Sequence, residues 1–251
     1  PNSSGKYSEK AVITLETINE LPTSLNCFLE NLYSNSKIHD DTLENPELFA
    51  EEKNITEISK ELSDLFNKYG SDKSSKHDYH FFYAYFLRDK KEIKNIVEIG
   101  LGTNNVDVVS NMGINGKPGA SLRAFKDFCP NANIYGGDID ERILFNEDRI
   151  STFFVNQTCQ KSLNEFKKKL PNEIDLFIDD GLHSPHANIN TLAIAITLIK
   201  KGGWILIEDI GNDKLQIWKT IKFLMEINNF NCHFFRRKNL RGFVFAANKK
   251  Y

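Results

Sequence analysis

The chain has 251 residues, 40% of them hydrophobic, and a formal net charge of -2. That length allows one substantial domain with an appendage and an ample core. The balanced charge gives no reason to expect nucleic acid or an anionic membrane as a partner, and no apolar run approaches the roughly 20 residues of a membrane helix. Cys27, Cys129, Cys159 and Cys232 lack metal-ligand or redox spacing, which fits free thiols in a reducing cytoplasm. The chain opens Pro1-Asn-Ser-Ser-Gly5 with neither a methionine nor a signal-peptide pattern, so it reads as a cut from a longer protein.

Residues 1–67 read as a polar helical extension. Leu25, Phe28, Leu29 and Leu32 recur at helical spacing, as do Ile58, Leu62, Leu65 and Phe66. Asn45, Pro46 and the acids around Glu51 divide the segment into at least two helices. The plain role is a cap packing on the main domain or on a second copy in a homo-oligomer; the sharper one is a substrate lid. Residues 68–251 form the main domain. It starts with a polar loop, Tyr69-Gly-Ser-Asp-Lys73, placed to touch a ligand, and an aromatic run ending at Phe86. Phe82, Tyr85 and Phe86 share a helix face and belong to the core, while His77 and His80 have no assigned role.

The segment from Asn95 to Thr103 organises the rest. Ile96 to Ile99 is an apolar run with Glu98 inside it, ending in Gly100-Leu-Gly102. This reads as a buried parallel strand entering a glycine turn that can approach a ligand closely. A polar insertion, 103–117, precedes Pro118-Gly119, and a helix starts at Ala120 or Ser121 and runs to about 129, its free N–H groups aimed at the same crevice. The second strand, 134–138, ends in Asp138, an acid of the kind that binds ribose hydroxyls in such folds; Asp140 is the alternative. A third strand covers 153–155 and leads into Asn156-Gln157-Thr158, followed by a lysine-rich helix over 162–170. A fourth strand, 174–178, runs into Asp179-Asp-Gly-Leu-His183, and an apolar helix follows over 187–199. A turn and fifth strand over 202–207 lead to Glu208-Asp209, then a helix over 214–227. A hairpin of 232–235 and 242–246, with a basic turn at 236–241, closes the chain. Strands alternating with helices give a doubly wound, Rossmann-like α/β sheet, and the hairpin makes its last strand antiparallel.

Both acidic doublets directly follow apolar strands. If those strands are neighbours, their carboxylates converge and repel unless a cation sits among them. Oxygen donors of this kind suit Mg²⁺, or Mn²⁺. The plainer role for one acid after a strand is to cap the next helix, but capping needs only one acid per helix. His183, three residues after Asp180, could take a proton from a hydroxyl beside such a site, with His186 as the competing choice.

The dinucleotide fingerprint G-x-G-x-x-G fails, because Asn105 stands at its third glycine. Glu98-x-Gly100-x-Gly102 instead resembles motif I of the class I S-adenosylmethionine-dependent methyltransferases, whose topology also ends in an antiparallel hairpin. A narrower resemblance spans about 67–247. Tyr69-Gly-Ser-Asp-Lys, Pro118-Gly-Ala-Ser-Leu-Arg, Ile134-Tyr-Gly-Gly-Asp-Ile-Asp, Ile178-Asp-Asp-Gly-Leu-His and Ile207-Glu-Asp-Ile look like the metal-dependent sugar O-methyltransferases. Those enzymes modify macrolide sugars and bacterial surface polysaccharides. The resemblance implies Mg²⁺ on Asp180, Glu208 and Asp209, His183 as base, and cofactor contacts from Glu98, Gly100, Gly102, Ser121, Asp138 and Gln157. It implies a sugar or sugar-nucleotide acceptor. The chain departs from it at Asn156-Gln-Thr-Cys159, where similar enzymes often show Asp-Gln-Thr-Asp. A catechol-directed methyltransferase would use the same carboxylates, and a non-catalytic cofactor-binding domain would have no use for them.

Overall fold

The computed structural model describes residues 24, 27, 28, 43–236 and 242–251. The stripe of Leu25, Leu29 and Leu32 and most of the basic turn lie outside them. Among the described residues, no helix is long and apolar enough to cross a membrane.

Helix α1, Pro46–Glu52, begins where its sequence dictates. The Asn45 side chain accepts the N–H groups of Glu47 and Leu48, and Pro46 fills the first helical position, where no N–H is needed. Helix α2, Thr56–Tyr69, ends at Gly70 in the left-handed conformation, φ 81°. Short helices α3, Asp72–Ser75, and α4, His80–Phe86, carry the chain to the sheet. The described part of the extension is built into the main core rather than laid over it. Phe49, Leu62 and Phe66 are buried in one cluster with Phe82, Tyr83 and Phe125. Phe66 meets Phe125 edge-on at 5.4 Å between ring centroids, so truncating it to alanine would cost about 3–5 kcal/mol.

The sheet elements are β1 (Asn95–Ile99), β2 (Asn133–Asp138), β3 (Asn146–Glu147), β4 (Ile150–Phe154), β5 (Ile174–Asp179), β6 (Ile199–Ile210), β7 (Phe230–Phe235) and β8 (Phe243–Lys249). Helices α5 (Ala120–Phe128), α6 (Gln160–Lys167), α7 (Pro185–Leu198) and α8 (Leu215–Glu226) connect them. The strand order is β3-β4-β2-β1-β5-β6-β8-β7. Strands β4, β2, β1, β5 and β6 are parallel, and β8 runs antiparallel between β6 and β7. This is the doubly wound sheet with an antiparallel last strand. The C-terminal ends of its parallel strands share one edge, and the order reverses at β1, where such sheets open a crevice.

Two local differences from the sequence expectation matter. The hairpin β3–β4 adds an edge strand ahead of 150–154, which period alone does not signal in two residues. Strand β6 does not stop at Ile207. Pairing with β8 carries it to Ile210, so Glu208 and Asp209 lie inside the strand, at a register shift between Ile207 and Ile210. Asp209 sits there with φ 51°. Such an irregularity lets two successive acids avoid the strict alternation of faces.

Candidate active site

The crevice at the switch point holds a cavity of about 290 Å³. Gly100, Asp138, Asp180, His183, Glu208 and Asp209 all border it, drawn from four strand ends. Ile139, Val155 and Leu182 supply apolar wall, as do Val108, Val109 and Met112 of the 103–117 insertion.

Gly100 is needed for a reason other than ligand approach. Its φ is 95°, and a Cβ there would overlap the carbonyl of Asp180 and lie 2.8 Å from the Cα of Gly181. The Asp180 N–H donates to the carbonyl of Ile99 at 2.8 Å, so the two loops are stitched together at this point. Gly100→Ala should lower stability by about 2 kcal/mol, or about 4–8 °C in melting temperature, and displace the Asp180 loop. A thermal melt within 1 °C of the native value would refute this reading.

Asp138 and Asp140, the two choices for the ribose-binding acid, separate by their partners. Asp140 is spent on structure. It accepts from Thr103 Oγ1 at 2.6 Å, Asn105 Nδ2 at 2.7 Å and Arg142 Nε at 2.6 Å, and so pins the insertion to the sheet. The Arg142 guanidinium holds its carboxyl well below the usual carboxylate range. Asp138 borders the cavity and accepts the N–H groups of Leu101, at 2.7 Å, and Asp140, at 2.9 Å. Burial pushes its carboxyl up.

Of the other expected cofactor residues, Gly102 and Gln157 border the cavity, whereas Glu98 and Ser121 do not. Ser121 Oγ donates to Glu98 Oε2 at 2.5 Å, and this buried pair ties α5 to β1. Ala120 and Ser121 border a neighbouring cavity of about 340 Å³ that shares Gly100, Gly102, Lys73 and Asp180 with the first. The Gln157 amide is committed to protein. It donates to Asp179 Oδ1 at 2.7 Å and to Thr191 Oγ1 at 2.8 Å, and accepts the Leu182 N–H at 2.9 Å. Asp179 also accepts from Asn188 Nδ2 at 3.1 Å. The first acid of the doublet is thus a buried clamp, and the second, Asp180, faces the cavity.

Strands β5 and β6 are sheet neighbours, so the two doublets do converge. Asp180, His183 and Asp209 each offer one ligand atom, all within 4.8 Å of one another. His183 Nε2 lies 3.8 Å from Asp180 Oδ1. His183 Nδ1 is buried and has no hydrogen-bond partner among the described residues. Both His183, at φ 54°, and Asp209 adopt left-handed backbone. That conformation costs a non-glycine residue on the order of 1–3 kcal/mol and concentrates at functional sites. Oxygen donors with one imidazole, next to an unpartnered ring nitrogen, fit a hard divalent cation beside a hydroxyl.

What the sequence reading did not find is the layer behind these groups. Lys73, only 3% exposed, places its ammonium 2.6 Å from Asp180 Oδ2, 2.7 Å from Glu208 Oε2 and 3.2 Å from Glu98 Oε1. Burial alone would lower its pKa, but the carboxylates of Asp180, Glu208 and Glu98 outweigh it and hold Lys73 charged. Tyr83 donates to Glu208 Oε1, and Tyr79 donates to Asp209 Oδ1. Burial, with Asp180 next, raises the Glu208 carboxyl against the pull of Lys73. His77, left unassigned above, borders the cavity 3.7 Å from Asp72 and 3.9 Å from Asp209. A bond with Asp72 raises its pKa. The polar loop around Tyr69 and Lys73 is the available signal, since its composition places it against a ligand; the tyrosines lie inside an aromatic run that reads as core.

No family model matches the chain. The curated proteins it is similar to include two O-methyltransferases from glycoside pathways. One is the 8-demethyl-8-alpha-L-rhamnosyl tetracenomycin-C 2'-O-methyltransferase of Streptomyces olivaceus, 27% identical over 150 residues, 59% of this chain and 37% of that protein. The other is the mycinamicin VI 2''-O-methyltransferase of Micromonospora griseorubida, 29% identical over 155 residues, 60% of this chain and 36% of that protein. The chain thus spans little more than a third of the length of these relatives. Among solved structures, the MycE methyltransferase of the mycinamycin pathway, in complex with Mg and SAH, superposes with a TM-score of 0.61 at 24% identity, over 76% of this chain and 55% of that one. The chain has the class I S-adenosylmethionine-dependent methyltransferase fold and is similar in sequence to sugar O-methyltransferases of glycoside pathways.

Proposed function

We propose that the protein is a divalent-metal-dependent O-methyltransferase that moves a methyl group from S-adenosylmethionine to a sugar hydroxyl, with His183 as general base. The observation that carries this is the convergence of Asp180, His183 and Asp209 at the edge of a cavity that also borders the glycine turn and Asp138. Mg²⁺, or Mn²⁺, suits these donors. Asp180 and Asp209 would hold it, and Glu208 can complete the set because each of its oxygens keeps a second lone pair beyond Lys73 and Tyr83. When bound, such an ion supplies Lewis acidity that lowers the pKa of a hydroxyl. S-adenosylmethionine supplies an already activated methyl group, so the chain must orient the acceptor and take its proton. With S-adenosylmethionine bound, its methyl would pass to the acceptor oxygen while His183 takes the hydroxyl proton, giving S-adenosylhomocysteine and the methyl ether.

The named relatives act on sugars carried by polyketides, which supports a glycoside as acceptor over a surface polysaccharide or a sugar nucleotide. A catechol acceptor is the second reading, served by the same acids. Labelled S-adenosylmethionine offered with rhamnosyl glycosides, a sugar nucleotide and a catechol separates these readings: methylation is expected on the glycoside alone, and transfer confined to the catechol would reverse the assignment. For the donor, Asp138→Asn should weaken S-adenosylhomocysteine binding by about 10- to 100-fold, the loss of a charge-assisted hydrogen bond. Calorimetric titration reads this directly, and an unchanged Kd would remove Asp138 from the ribose role.

A further inference from the structure

Building on the metal-dependent reading above, we propose that Lys73 is a built-in cation, a positioning residue that fills the inner half of the acidic centre and limits the chain to one exchangeable divalent ion. Its three carboxylate partners come from adjacent strands. Glu98 lies on β1, Asp180 follows β5 and Glu208 lies on β6, and β1, β5 and β6 are consecutive in the sheet. Glu98 and Glu208 are 0% and 1% exposed. Carboxylates at that depth stay together only around a cation. An ammonium has three donors, and here each faces a different carboxylate.

Asp180 is the hinge between two cation positions. Its Oδ2 faces Lys73 at 2.6 Å, while its Oδ1 faces His183 at 3.8 Å, on the side where Asp209 also converges. A carboxylate shared in this way is how two-ion centres hold both ions. In this protein the inner position belongs to a side chain, so Asp180 and Glu208 are aligned before any ion arrives. Tyr83 donates to the other oxygen of Glu208 and so fixes the orientation of that carboxylate.

Lys73→Met keeps an unbranched side chain, one atom shorter, and removes its charge. Glu98, Asp180 and Glu208 then surround an uncompensated space. Counting bound Mn²⁺ by equilibrium dialysis and electron paramagnetic resonance should give one ion per native chain, one for Lys73→Arg and two for Lys73→Met. A native chain that binds no Mn²⁺ would overturn the metal-dependent reading itself. One ion in both native and Lys73→Met, at equal affinity, would overturn the role of Lys73 alone. Amine acylation of the native protein, read by peptide mass, tests the same claim even if the variant does not fold. Lys73 should stay unlabelled with and without saturating Mn²⁺, whereas labelling that appears on Mn²⁺ addition would show that the ion displaces it and end the proposal.

Discussion

Replacing His183 with alanine should lower turnover by about 10³-fold, within the range that a positioned general base contributes, while S-adenosylhomocysteine affinity changes less than twofold. The split follows from position. His183 borders the cavity beside Asp180 and Asp209, whose ligand atoms lie within 4.8 Å of its own. Its Nδ1 has no hydrogen-bond partner among the described residues, and its Nε2 lies 3.8 Å from Asp180 Oδ1. His186, the rival for the role in the sequence, is held differently. Its Nε2 meets the Asn190 amide at 3.1 Å on the first turns of α7, and it does not border the cavity. His186→Ala should therefore keep turnover within about threefold of native. Single-turnover rates with the two variants decide between them, and a His183→Ala rate within tenfold of native would discard the base.

Stripping the divalent ion should abolish transfer, and Asp180→Ala should do the same without recovery when Mg²⁺ is returned. The expected loss is on the order of 10³-fold or more, since the ion and the group that orients it are removed together. Asp179→Ala provides the contrast. That acid never reaches the cavity; it satisfies the Gln157 and Asn188 amides in the interior. Its removal leaves buried donors unpaired, at a cost of about 2–4 kcal/mol in stability, without touching metal affinity directly. Paired measurements of Mn²⁺ affinity and melting temperature should thus separate the two halves of one doublet. A native enzyme indifferent to EDTA would dismiss the metal, whatever Asp180→Ala does.

Much of this site could be read without coordinates because its parts are local in sequence. The apolar run 96–99 with its glycines, the strand ending at Asp138, and the doublets at the end of β5 and within β6 each carry period or turn signals within about ten residues. Their placement on one edge follows from the parallel order of the strands, which alternation with helices already requires; that β5 and β6 lie side by side, so that the doublets converge, is seen only in the strand order. Boundaries were less legible. β6 extends through Glu208 and Asp209 only because β8 pairs with it there, a partner about 35 residues away.

The sequence by itself determined the parallel body of the sheet, its antiparallel close and the strand-end edge that carries the acids, since local pattern and the handedness of strand connections fix these. Only the tertiary structure decided how those acids are neutralised and held. Lys73 reaches Asp180 across 107 residues and Glu208 across 135, and Tyr79 and Tyr83 arrive from the same short segment. It also decided that Gly100 serves the Asp180 loop and that Asp140 serves the insertion. Nothing in the spacing of a lysine or a tyrosine reveals a charge partner from another strand; that pairing exists only once hydrophobic burial of α2 and α4 presses their connecting segment onto the strand ends.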